Sequence, residues 1–219
     1  MIISPGRRYI FVHAPKTGGT SMALALEARA RRDDMMLGDT PKARKRRRRL
    51  KDVPARGRLW KHATLADIDG LVSPDALAQM FIFTLVRNPW DRVVSYYHWL
   101  RAQDFDHPAV ALARQMSFGA FVQAPHVQAS LRASPARHYV TDAAGAERCD
   151  AFLRLEHLAE DAAPLEAHLG FRLDLPHVNR SARAADWREY YDDAAAEAVA
   201  AACAEDISRF GYRFDGGSA

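Results

Sequence analysis

Apolar residues fall into a few short runs separated by polar stretches, and their spacing changes along the chain. Tyr9-Ile10-Phe11-Val12 is apolar without alternation, which predicts a strand buried on both faces. It gives way to His13-Ala14-Pro15-Lys16-Thr17-Gly18-Gly19-Thr20-Ser21, a turn of small and hydroxyl residues, and then to strong helix formers over 22–30. The most apolar run, 80–86, predicts a central strand. It ends in Arg87-Asn88-Pro89, with Asn88 fit to cap and Pro89 fit for the first turn of the next helix. That helix, over 90–101, places Val93, Val94, Tyr97 and Leu100 at helical spacing.

Between these runs, 31–58 is polar and too charged to pack, and reads as a loop or an exposed helix. Residues 59–62 re-enter the fold, and Thr64 with Asp67 forms a capping box that predicts a short helix to Leu71. Further on, Ser117 caps a short helix with Phe118, Phe121 and Val122, and 151–155 predicts a third strand. A helix over 158–169 stops at Gly170, and an Ala-rich helix from Asp192 or Asp193 closes at Gly211. Strands alternating with helices argue for an α/β fold with a mainly parallel sheet. The 219 residues suffice for one core, and no linker divides them, so 1–219 is expected to be a single domain.

Charge changes this picture at one place. The net charge is +4, yet residues 42–51 hold 8 of the 31 basic residues and no acid. Without them 23 bases face 27 acids, a balance of −4. The basic character is local, in a 38–58 segment expected to be a mobile insert that draws in an anionic acceptor or the donor, or else merely a solvated loop. No apolar stretch approaches a membrane span, and the N-terminus lacks signal-peptide order. Cys149 and Cys203 show no metal-ligand spacing, so reduced thiols and a cytoplasmic location are expected.

The turn after the first strand carries the clearest chemistry. Strand, glycine-rich turn and helix aim backbone N–H groups and a helix N-terminus at an anion. Gly18 and Gly19 permit close approach, Thr20 and Ser21 add hydroxyls, and Lys16 adds charge. The nucleotide triphosphate loop places its lysine after the last glycine, whereas Lys16 precedes both. The 80–86 strand also ends in Arg87 and not in a metal-binding aspartate, so a metal-free anion site is expected. Arg87 leaves the carboxyl end of a central strand, where ligand crevices of open α/β sheets lie. Ser95 shares a helix face with Arg92. Spacing alone leaves two readings for this pair: a second phosphate grip, or arginines paired with buried acids and a packed serine.

Taken in order, Pro15-Lys16-Thr17-Gly18-Gly19-Thr20-Ser21 and Leu85-Val86-Arg87-Asn88-Pro89-Trp90-Asp91-Arg92-Val93-Val94-Ser95-Tyr96-Tyr97 resemble a sulfotransferase that uses 3′-phosphoadenosine 5′-phosphosulfate (PAPS). The similarity is to bacterial members of the carbohydrate (type 2) group. Phe152-Leu153-Arg154-Leu155-Glu156-His157-Leu158, the stretch 175–181 and the closing stretch 205–212 resemble it too. The resemblance implies a P-loop-like three-layer α/β sandwich. It implies that Lys16, Thr17, Gly18, Gly19, Thr20 and Ser21 hold the 5′-phosphosulfate, with Lys16 on the bridging oxygen, and that Arg87 and Ser95 hold the 3′-phosphate. The reaction implied is in-line sulfuryl transfer to a hydroxyl, with adenosine 3′,5′-bisphosphate released and no metal required.

An acceptor hydroxyl needs a general base. His62 is the first candidate because Trp60-Lys61-His62 re-enters beside the expected site, His13 the second, and Glu156 an outside one. The resemblance alone favours a carbohydrate hydroxyl as the acceptor, anionic if the basic run draws it in; a lipid-linked sugar, a small metabolite or a peptide tyrosine fits the same donor site. A P-loop kinase or phosphotransferase is the alternative enzyme. A nucleic-acid binder using 42–51 is a weaker alternative, since no recognition module accompanies the run.

Overall fold

The computed structural model describes residues 1–176 and 183–215. Five strands form one sheet: β1 (Ile2–Ser4), β2 (Tyr9–Val12), β3 (Met35–Met36), β4 (Phe81–Val86) and β5 (Ala151–Arg154), in the spatial order β3-β1-β2-β4-β5. β2 pairs parallel with β4, and β4 with β5. β1 is antiparallel to both its neighbours, so it alone runs against the other four strands. The fold is therefore α/β with a mainly parallel central sheet, as expected. The two short strands at one side fall in stretches too brief, or too polar, to show a pattern.

The chain divides into two compact units, Met1–Val86 with Ala136–Val178, and Arg87–Pro135 with Asn179–Ala219. The first holds the sheet, and its strands are buried on both faces. Ile3, Ile10, Val12 and Ile82 point into one core with Leu65, Ile68, Val72 and Val140. Tyr9, Phe11, Phe83, Leu85 and Leu153 point into the other. There they meet Met22 and Leu26 of helix α1 (Gly19–Ala28), Ala43 of helix α2 (Pro41–Arg46) and Leu165 of the helix Ala163–Leu169. Helices on both faces of the sheet explain why these strands read as unbroken apolar runs.

The second unit is helical. Helix α3 (Pro89–Arg101) begins as its sequence foretells: Asn88 Oδ1 accepts the Trp90 N–H at 3.1 Å, and Pro89 fills the first turn. Val93, Val94, Tyr97 and Leu100 are buried. Tyr97 packs on Phe118 and Phe121 of the Ser117-capped helix Phe118–Gln123, with ring centroids 5.4 and 5.1 Å away.

Three helices differ from the expectation. The Thr64–Asp67 box forms, with Asp67 Oδ2 accepting Thr64 N–H and Thr64 Oγ1 accepting Asp67 N–H, but it closes turns and not a helix. The Asp67 and Asp69 carbonyls are taken by the Gly57 and Arg56 N–H groups, at 3.0 and 2.9 Å, so a neighbouring segment replaces the helical bonds. The 158–169 helix is two pieces, Leu158–Asp161 and Ala163–Leu169, because Pro164 lacks an N–H and starts a helix more easily than it continues one. The closing helix is likewise two pieces, α4 (Asp193–Ala202, capped by Asp192) and Ala204–Phe210, with Gly211 in the left-handed region at φ 68°.

The basic segment has definite structure. Ala43 is buried, Lys42 Nζ donates to the Glu27 carbonyl, Arg46 donates to the Arg31 and Asp34 carbonyls, and Arg49 to that of Arg32. Three cations thus fasten the last turn of α1 and the chain that leaves it, while Arg44, Lys45, Arg47, Arg48 and Lys51 lie exposed.

Candidate functional site

Where β2 ends, the chain turns through residues 13–18 into α1. Lys16 sits in the left-handed region at φ 65°, uncommon for a side-chain-bearing residue, and Gly18 at φ 85° forms the N-cap. Thr17 is buried, and its hydroxyl donates to the Ala14 carbonyl at 2.9 Å, fastening the turn across its base. Ser21 N–H turns back to the Gly18 carbonyl at 3.0 Å. The Gly19 and Thr20 N–H groups, in the first turn, have no intrahelical acceptor and carry the positive end of the helix dipole. Both glycines are sterically required. A Cβ on Gly18 would stand 2.9 Å from Leu155 Cδ1, and one on Gly19 would stand 2.1 Å from His13 Cδ2.

His13 is therefore floor to this turn. It is buried, its ring stacks on Phe11 at 5.6 Å, and burial holds its pKa well below the ordinary histidine range. His62 lies next to it, rings 4.7 Å apart. Its Nδ1 is 2.7 Å from the His13 carbonyl oxygen, which can only accept. The neutral ring must therefore carry its proton on Nδ1, leaving Nε2 as a lone-pair acceptor. Burial, opposed by the bond to His13 and reinforced by Lys61, lowers its pKa to about 4. Lys61 pairs with Asp39 at 3.1 Å, and the Trp60 ring stands 5.0 Å from His62. Glu156, the outside candidate, is exposed in a 3₁₀ turn after β5.

Within the helical unit, Arg87 Nε and Nη2 both bond Asp91 Oδ2, at 2.9 and 2.7 Å. Arg183 Nη1 lies 2.7 Å from the other oxygen of Asp91. Arg92 stands 3.9 Å from Asp206, and Ser95 is buried. The acids that spacing could not locate are thus Asp91 and Asp206. Asp91 was legible in principle, four residues after Arg87 on the same helix face; Arg183 carried no local signal. Residues 177–181 of the 175–181 stretch lie outside the described residues.

Within the first unit the geometry brings Lys16, both glycines, Thr20, Ser21, His13 and His62 to the carboxyl end of β2; Arg87 and Ser95 belong to the second unit. Asp39, Leu155 and Asp91 are the participants that sequence reasoning missed. Among the described residues, no group of three or more His, Cys, Asp or Glu is placed to hold a metal ion, and no helix is long and apolar enough to cross a membrane.

A mainly parallel sheet flanked by helices, with a glycine-rich turn leading from a buried strand into a helix, defines an α/β fold of P-loop-like form. The sulfotransferase family profile matches residues 1–212, and the chain belongs to the sulfotransferase family. The fold is similar to that of the crystal structure of mouse sulfotransferase SULT7A1 complexed with PAP, with a TM-score of 0.52 and 16% identity over 94% of this chain and 86% of that one. A search of curated proteins gave no significant match.

Proposed function

We propose that this sulfotransferase takes its sulfuryl group from PAPS and passes it in line to a carbohydrate hydroxyl, releasing adenosine 3′,5′-bisphosphate, without a metal. The observation that carries this reading is the turn at 13–21: one lysine held at φ 65° and a left-handed glycine cap after a buried strand, at a helix start whose first N–H groups have no intrahelical acceptor. These are donors for a phosphosulfate, and PAPS supplies a sulfuryl group on a good leaving phosphate. Lys16 meets the charge that grows on the bridging oxygen as the sulfur–oxygen bond breaks. The Gly19 and Thr20 N–H groups, with the Thr20 and Ser21 hydroxyls, hold the phosphate oxygens. Thr17 acts through the turn, since its hydroxyl is committed to Ala14. Arg87, braced by Asp91, and Ser95 take the 3′-phosphate.

His62 serves as the base. Its Nε2 accepts the acceptor's hydroxyl proton while the new sulfur–oxygen bond forms, and the imidazolium later releases that proton to solvent. At pH 7 the ring is neutral, as a base must be, because burial has lowered its pKa to about 4. The negative charge of an arriving donor raises that pKa toward a useful value. His13, wedged between Phe11 and Gly19, shapes the turn and orients His62 through its carbonyl. The whole of 1–219 acts as one sulfotransferase domain, in the cytoplasm, where Cys149 and Cys203, neither of them in a disulfide, stay reduced.

The test is transfer from labelled PAPS to a panel of sugars. His62→Gln should lower kcat at least tenfold while leaving bisphosphate affinity within about twofold. Wild-type activity that requires Mg²⁺ and ATP in place of PAPS would reject the assignment.

A further inference from the structure

A group of arginines takes no part in the chemistry above, and the sheet-bearing unit gathers it in one place. Arg7 and Arg8 directly precede β2, and 29–32 directly follow α1. Arg7 Nη2 donates to the Arg29 carbonyl at 3.2 Å and Arg31 Nη1 to the Gly6 carbonyl at 2.7 Å, so the start of β2 meets the end of α1. The basic segment reaches the same place, where Arg46 and Arg49 donate to the Arg31 and Arg32 carbonyls. The guanidinium carbons of Arg7 and Arg29 stand 5.0 and 4.6 Å from the centroid of one ring, Phe171, and Arg172 is next in the chain. The ten residues of α1 span about 15 Å, which separates this cluster from the donor turn.

The cluster differs from other arginines of the fold in lacking acids. Arg87 is fastened on Asp91, Arg148 on Asp142 and Arg154 on Asp161. Among the described residues, none of the arginines at 7–8, 29–32, 46, 49 and 172 pairs with a carboxylate. Asp34 is buried, and its carboxylate accepts the Ser4 hydroxyl at 2.6 Å and the Arg31 N–H at 2.8 Å. Asp33 and Asp174 are exposed and form no ion pair. Carbonyls orient these guanidinium groups without neutralising them, and each takes only one or two of five N–H donors. Arg7 Nε is buried with no acceptor at all. Like charges held together cost folding free energy, and a bound anion offsets that cost.

We infer that this face docks on an anionic membrane surface, its guanidinium forks meeting phospholipid phosphates. The proposal is independent of the donor and acceptor reading. A guanidinium fits two phosphate oxygens at once, and a bilayer presents phosphates in a plane, so arginines drawn from four chain stretches can all engage. A nucleic acid fits less well. The Phe171 ring is taken up by two guanidinium groups and gives bases no stacking platform, and α2, with six residues, is too short to read a groove. None of the large exposed apolar side chains belongs to the cluster, so the docking is electrostatic and reversible. The donor turn, at the other end of α1, stays clear of the lipid.

The experiment sediments the full chain with vesicles of phosphatidylcholine, either alone or with about one third phosphatidylglycerol. Binding should require the anionic lipid. Raising salt to about 1 M, where charges are screened within about 3 Å, should release the protein. Arg8, Arg29, Arg32 and Arg172 are exposed and donate no side-chain hydrogen bond among the described residues, so changing all of them to Gln spares the bonds of the fold. At about fivefold per cation, that variant should lose at least 100-fold in vesicle affinity. The same residues changed to Lys should stay within about fivefold of wild type. Gln at Arg101, Arg114, Arg132 and Arg209, exposed in the helical unit, removes as much charge and should cost less than about tenfold. Thermal midpoints measured alongside show that each variant is folded.

Equal binding to both kinds of vesicle, or equal losses from the two sets of Gln changes, would overturn the proposal. So would tighter binding to RNA or heparin than to the anionic vesicles, or a dimer of the wild-type chain that the first Gln variant dissolves.

Discussion

Two cationic regions sit in the same unit and differ in kind. The turn at 13–21 has one basic side chain, Lys16, in a strained backbone position at the head of α1. The segment 42–51 has eight, yet three of them donate to carbonyls in the last turn of α1 and the chain just after it, and five face solvent. Charge number and chemical role are inversely matched. A turn of small residues lets backbone dipoles add to one lysine, whereas exposed arginines are screened by water and salt.

The sharpest way to break this contrast is to remove the single lysine. Lys16→Ala should lower kcat by about 10²–10³-fold, the usual cost of one donor to developing charge, in a transfer assay at saturating PAPS. The acidic limb of stability should also separate the regions. His62 has its folded pKa lowered to about 4 from an ordinary 6.5, so the folded state resists a proton that the unfolded chain binds. Stability from this ring is complete above pH 6.5 and declines as pH falls toward 4, by up to about 3 kcal/mol at the bottom of that window. His13 shifts in the same direction. Denaturation midpoints measured from pH 7 to 4 should therefore fall, and His62→Gln should flatten the fall.

Packing gives a third separation. Gly19→Ala drives a methyl into a His13 ring backed by Phe11 and should cost about 1–3 kcal/mol, with bisphosphate binding impaired. Gly38→Ala, before the basic segment, meets only ordinary contacts with Lys61 and Ala43 at 3.8 and 3.9 Å and should be near neutral. Smallest of all, neutralising Arg44, Lys45, Arg48 or Lys51 to Gln should change thermal stability by no more than about 0.5 kcal/mol each. Arg46→Ala should cost roughly 1 kcal/mol through the Arg31 and Asp34 carbonyls. Equal losses across both groups of cations would show that the segment is not fastened as described.

What the sequence made legible follows from the same physics. β2, β4 and α3 were readable because long apolar runs and the Asn88-Pro89 start are local signals. β1 and β3 were not, since three and two residues cannot show a period. The Thr64–Asp67 box was real, but the carbonyls a helix would use were claimed by Arg56 and Gly57, a long-range competition that no window reveals. At the site, the turn was visible in its glycines and lysine. The service of His13 as floor, and the bracing of Arg87 by Asp91 and Arg183, depend on contacts across the fold.

The central claim is that Lys16 and Arg87, not the basic run, hold a bisphosphorylated donor. Calorimetric titration of the wild-type chain with adenosine 3′,5′-bisphosphate, without metal, tests it most directly. Tight binding is expected, weakened about 100-fold by Arg87→Ala, the cost of losing one charged contact, and left intact by the Gln variants of Arg44, Lys45, Arg48 and Lys51. Binding of ATP–Mg²⁺ with no binding of the bisphosphate, or bisphosphate binding abolished by the Gln variants alone, would contradict it.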